Sequence, residues 1–384
     1  MKYINEFRAP LFAQELAKAI YKEVNTERHY RLMEFCGGHT HAIYRYGLKD
    51  LLPDNVEFIH GPGCPVCVLP ASRIDMAIKM QTESDAILCT YGDLMRVPAS
   101  NGHSLLKAKA SGADIRMVYS PFDALKISQQ ETNRQVIFFA IGFETTTPPT
   151  AVIIKKAQSL GLKNFSVFCN HVLTPAALEA ILNPPDQILC VDGFIGPSHV
   201  STIIGSDVYQ PFATEYRKPI VISGFEPLDI LQSILMLIKQ LNEGSYSVEN
   251  QYKRAVSGTG NNKAQKLVAE VFDVADRFSW RGLGELPRSA LKISEHYGNF
   301  DAAERFPVKL EEGSEHKHCL CPSVIRGRNK PLDCKLFAKA CTPENPLGAC
   351  MVSSEGACAA YWSYGRFKDD STEQLSSPRQ RGIL

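Results

Sequence analysis

From about residue 56 to 226, short apolar runs alternate with longer helix-like segments, which restricts this part of the chain to parallel β-sheet with crossover helices. The strand candidates are "VEFIHGPG", "AILCTYGD", "DIRMVYS", "QVIFFAIGFE", "FSVFCNH", "QILCVDGF" and "PIVISGFE". Nearly all run into Gly, Asn, Asp, His or Ser. The chemically active residues are therefore expected at the carboxyl ends of strands, where open α/β sheets bind their ligands. The length suits two such sheets, with a break near "SQQETNRQ": a first α/β domain over 31–130 and a second over 131–255. Residues 256–384 change character and end in a cysteine-rich region. They are expected to form a third, mainly helical domain with residues 1–30, whose "APLFAQELAKAIYKEV" has helical apolar spacing. No G-x-G-x-x-G or P-loop pattern occurs, so no nucleotide is implied.

Lys plus Arg number 42 against 41 Asp plus Glu, which removes the electrostatic basis for a general nucleic-acid or anionic-membrane binder. The longest apolar runs, such as "ILQSILMLI", fall short of a bilayer span. With no leader pattern at the amino terminus, a cytoplasmic protein is expected. The chain has twelve cysteines, and a reducing compartment argues for metal or redox work rather than a structural disulfide framework. Cys89, Cys169 and Cys190 lie in apolar strand-like runs and are read as small packing residues.

The remaining cysteines fall into two groups. "EFCGGHTHAIY" sets Cys36 beside Gly37 and Gly38, which leave room for a ligand or another backbone, with His39 and His41 following. "GPGCPVCVLP" holds Cys64 and Cys67 as a C-x2-C pair, suited to one metal or to a disulfide. At neighbouring strand ends, Cys36, Cys64 and Cys67 would form an open site of soft thiolates, with His39 as ligand, proton donor or base. In "GFETTTPPTAVIIKKAQSLG", Thr147 and Pro148 start a helix that Gly161 ends. That leaves Glu144, Thr145 and Thr146 at a strand end, placed to bind a small anion. Cys334, Cys341, Cys350 and Cys358 are spaced C-x6-C-x8-C-x7-C, which suits zinc or [4Fe-4S] alike. Cys319 and Cys321 lie close enough to replace a ligand or add a dithiol, and Glu355 is a candidate proton carrier beside the group.

Taken together, "CGGHTH", "GPGCPVC", "GFETT" and "CTPENPLGACMVSSEGAC" resemble the HypD family of [NiFe]-hydrogenase maturation factors over nearly the whole chain. The resemblance implies a scaffold and electron donor for assembly of an Fe(CN)2CO unit, whose iron is a transient cargo. It implies a HypC-type chaperone that helps hold the iron, a HypE cyanide donor with HypF upstream, and a hydrogenase large subunit served indirectly. It makes Cys36, Cys64 and Cys67 the essential thiols, with Cys36 and Cys67 on the cargo iron, and places a [4Fe-4S] cluster on Cys334, Cys341, Cys350 and Cys358. The cluster region looks like that of ferredoxin-thioredoxin reductases, which implies electron flow from cluster to dithiol. A self-standing thiol-disulfide reductase is the alternative function, and a zinc-stabilised structural protein a third.

Overall fold

Residues 136–142 are apolar without a break because the strand they form is covered on both faces. Ile137, Phe139 and Ile141 enter one core while Val136, Phe138 and Ala140 enter another, the two-residue alternation of a pleated strand. The computed structural model describes residues 4–184, 191–309, 313 and 315–365. Its main strands are β1 (Tyr30–Glu34), β2 (Val56–His60), β3 (Ile87–Thr90), β4 (Ile115–Met117), β5 (Val136–Gly142), β6 (Phe165–His171), β7 (Gly193–Pro197), β8 (Ile220–Ser223) and β9 (Val248–Asn250).

They pair in two wholly parallel sheets, ordered β2-β1-β7-β8-β9 and β4-β3-β5-β6. Each order reverses once, between β1 and β7 in the first sheet and between β3 and β5 in the second. Crossovers leave in opposite directions at those points and open a crevice beyond the strands' carboxyl ends. The sheets share a core that includes Met33, Ile59 and Phe194 from one and Leu88, Ile137 and Phe168 from the other.

The strand pairing does not divide the chain at residue 130. The first sheet combines β1 and β2 with β7 to β9, and the second is built from residues between them. Parallel neighbours need no closeness in sequence, so the chain leaves the first sheet after β2 and returns at β7. The third unit also differs from expectation. The helix Asn262–Val271 and the antiparallel pair Phe272–Val274 with Leu291–Ile293 cover the outer face of the second sheet, burying Val271, Phe272, Leu291 and Ile293 against Val136 and Phe138. The cysteine-rich segment has only short helices, the longest being Ala357–Tyr364.

The helix Pro10–Glu23 does not join that segment. It packs on the helix Pro227–Glu243, with Ile20 in the same apolar cluster as Ile230, Ile234 and Leu237. Cys89 and Cys169 are buried in cores as expected, and Cys190 lies outside the described residues. No helix among the described residues is long and apolar enough to cross a membrane.

Candidate functional site

Cys36 follows β1 directly and is extended (φ −155°, ψ 129°), at the N-cap of the helix Gly37–Arg45. The buried Glu34 carboxylate accepts from the Cys36 N–H at 3.1 Å, from the Thr40 hydroxyl, and pairs with His60 Nδ1 at 2.8 Å. His60 Nε2 lies 3.2 Å from the Tyr44 hydroxyl. Four side chains thus hold the turn that presents Cys36. Its sulfur is 3.3 Å from Nδ1 of His199, which follows β7 across the first sheet's reversal point. Burial pushes the Cys36 thiol well above its ordinary pKa, and the Glu355 and Glu34 charges push the same way, against the backbone N–H groups of Gly38 and His39.

His39 stands apart from this contact. Its Nε2–H is shared between the Ser223 and Gly224 carbonyls, each at 3.1 Å, and its ring lies 4.7 Å from that of Phe225. Burial lowers the pKa of both His39 and His199 to about 4, so both are neutral near pH 7.

Two glycines let other segments reach Cys36. A Cβ on Gly63 would lie 2.4 Å from the Cys36 Cα and N, and one on Gly37 would lie 2.3 Å from the Cβ of Glu355. Gly63→Ala is therefore expected to cost about 2 kcal/mol or more, since backbone atoms must separate, and urea unfolding would measure the loss. Beyond Gly63, Cys64 caps the four-residue helix Pro65–Val68 and is joined to Cys67 as a disulfide. That helix packs on the turn Ala349–Met351, which carries Cys350.

The second sheet contributes the residues after β3 and β5. The Thr146 hydroxyl is 3.0 Å from the Phe143 carbonyl and 3.3 Å from Nδ1 of His171. The helix starts at Thr147, whose hydroxyl donates back to the Glu144 carbonyl at 2.7 Å instead of accepting from a helix N–H as expected. Glu144 accepts from both the N–H and the hydroxyl of Thr174, at 2.8 Å each. It holds the start of the helix Thr174–Leu182, and burial raises its pKa to about 7.

A cleft of about 450 Å³ collects these strand ends. Thr145 and Thr146 line it with Pro65 of the disulfide loop, His199, Glu355 and Asp93. Ser353 joins the last two: its hydroxyl donates to Asp93 at 2.9 Å and receives the Glu355 N–H at 3.3 Å. Glu355 has a raised pKa, first from burial and then from Asp93, which favours its protonated form.

Cys334, Cys341, Cys350 and Cys358 line one small gap of about 10 Å³, and Cys319 and Cys321 line it with them. Apart from Met351, whose thioether is a weak donor, every donor residue there is a cysteine, a set that suits zinc or an iron–sulfur cluster. Among the described residues no group of three or more His, Cys, Asp or Glu side chains stands in metal-ligand geometry.

Residues 11–365 match the family described as HypD, hydrogenase formation hypA family. The chain is 61% identical to "Hydrogenase maturation factor HypD" of Azotobacter vinelandii, with 95% of this chain and 97% of that protein covered. It is 46% identical to the protein of the same name in Escherichia coli K12, with 95% and 98% covered. The chain belongs to the HypD family of hydrogenase maturation factors. In this HypD-family fold, Pro65 and Val66 of the disulfide loop, Thr145, Thr146, His199 and Glu355 line one cleft and Cys36 lies behind it against His199, whereas Glu144 is committed to Thr174 and His39 to the Ser223 and Gly224 carbonyls. The sequence reading missed His199. The candidate "QILCVDGF" ends at Phe194, whereas the strand runs over Gly193–Pro197 and delivers "SH" at its end. Asp93 carried the same strand-end signal in "AILCTYGD".

Proposed function

We propose that this chain is the scaffold and electron donor on which the Fe(CN)2CO unit of [NiFe]-hydrogenase is assembled. The observation that supports this most is the meeting of a free thiol, a disulfide and a cysteine-rich turn at the ends of two parallel sheets. Cys36 is the proposed holder of the cargo iron, joined by Cys67 once the disulfide is open. The buried Cys36 keeps its proton until an arriving iron dication displaces it to give an electron-donating thiolate. The neutral His199 beside the sulfur is its hydrogen-bond partner, and the displaced proton leaves to solvent. Thr145, Thr146 and Glu355 line the space for the incoming ligands with polar groups.

Opening the Cys64–Cys67 disulfide takes two electrons and two protons and yields two thiols. A [4Fe-4S] cluster on Cys334, Cys341, Cys350 and Cys358 would supply single electrons. The packing of the Cys67 helix on the Cys350 turn provides the short route between the two. Partners in the maturation pathway follow from the family; the HypC-type chaperone and the HypE donor are proposed to meet the chain at the cleft, in the cytoplasm.

The test is anaerobic purification with the chaperone, followed by infrared spectroscopy and metal analysis. CN and CO bands with about four cluster irons per chain are expected. Disulfide turnover without such bands would favour a reductase, and stoichiometric zinc without iron would refute the cluster.

A further inference from the structure

The turn Gly92–Arg96 borders two hollows. Asp93 and Leu94 line the cleft, while Arg96 lines a second and larger hollow of about 640 Å³. Its rim is cationic. Arg96, Lys107 and Lys317 are exposed there, and none has a carboxylate partner among the described residues. Of the two acidic residues in the lining, Glu315 and Glu344, the first is taken up by Arg281 at 3.1 Å. The segment behind the hollow repeats the bias: residues 315–347 hold six Lys or Arg and three Asp or Glu, in a chain whose net charge is +1. Leu106, 46% exposed, adds an apolar contact on the rim. Cys319 lines both this hollow and the six-cysteine gap. One side chain therefore separates the cationic hollow from the sulfur set.

We infer that this hollow is the docking face for an acidic one-electron carrier protein, which delivers electrons to the cysteine set past Cys319. The inference rests on reading that set as an electron relay. Two features favour a protein carrier over a small anion: the spread of the cations from the Gly92–Arg96 turn through Lys107 to Lys317, and the exposed leucine beside them. Charge complementarity of this kind steers encounter and is weakened by salt. The face is also separate from the cleft, so electrons can enter while cargo and chaperone occupy the site. Two carriers, each oxidised by one electron, together with two protons convert the Cys64–Cys67 disulfide to two thiols.

The test uses the full chain isolated anaerobically, with a flavodoxin and a [2Fe-2S] ferredoxin as acidic probes. Binding is measured by calorimetry at low salt and at about 0.3 M salt, where it should weaken. The double variant Lys107→Glu, Lys317→Glu should bind at least one probe about tenfold or more weakly. Dithionite should still reduce its disulfide at the wild-type rate, which shows that the relay is intact. Lys22→Glu with Lys239→Glu, exposed on the helices Pro10–Glu23 and Pro227–Glu243, should leave binding unchanged. The proposal is overturned if neither probe binds the wild type, if the Lys107, Lys317 variant binds as well as wild type, if the control pair weakens binding equally, or if inorganic phosphate at millimolar concentration competes as strongly as salt-matched probe protein. The binding readout needs no iron-bound cyanide or CO, so its failure leaves the scaffold reading standing.

Discussion

Cys36→Ala is expected to remove all infrared bands of iron-bound cyanide and CO from protein isolated with its chaperone. The proposed cluster in the cysteine-rich segment should be unaffected, and the Cys64–Cys67 disulfide should still form. The separation follows from position. Cys36 caps a helix with its backbone and touches His199 with its sulfur, while the disulfide is closed within its own four-residue turn. Alanine keeps the extended backbone after β1 and the N–H bond to Glu34, so the fold loses one buried sulfur and little else. Cys64→Ala should do the reverse, abolishing the disulfide and stalling assembly. Full CN and CO bands from the Cys36→Ala protein would show that another residue holds the iron.

Stability should fall as pH rises through 7, and Glu144→Gln should remove that part of the fall. The folded pKa of Glu144 is raised to about 7 from an ordinary 4.5, because the buried carboxyl is stripped of water and its Thr174 bonds only partly compensate. Its contribution is complete below the ordinary value and is lost as pH passes the folded one. The difference corresponds to about 3 kcal/mol. His39, His171 and His199, lowered to about 4, act in the other direction, costing stability as pH falls below 6.5. Comparison with the Gln variant therefore isolates the glutamate. Urea unfolding at pH 5 and pH 8.5 should show the wild type losing about 2 to 3 kcal/mol more than the variant, since part of the effect is already lost at pH 5. An equal loss in both would mean that Glu144 ionises normally.

Local patterns in the sequence located β2 to β6 and β8, though not β1 or β9, and marked the carboxyl ends of strands as the chemical side. The two-residue alternation in "QVIFFAIGFE" and the turn residues after each run are consequences of pleat and backbone angle, which act over a few residues. The same locality exposed Cys36, the C-x2-C pair and the GFETT loop, and the cysteine spacing pointed to a sulfur-rich centre without choosing its metal. Strand pairing was beyond that reach. Nothing near residue 60 announces that β1 will pair with β7 more than 150 residues later, because parallel neighbours are selected by the packing of whole layers. For the same reason only the tertiary structure put His199 against Cys36 and turned Glu144 away from the cleft toward Thr174. A side chain's type is set by the sequence. Its partner is set by which distant surfaces the chain buries together.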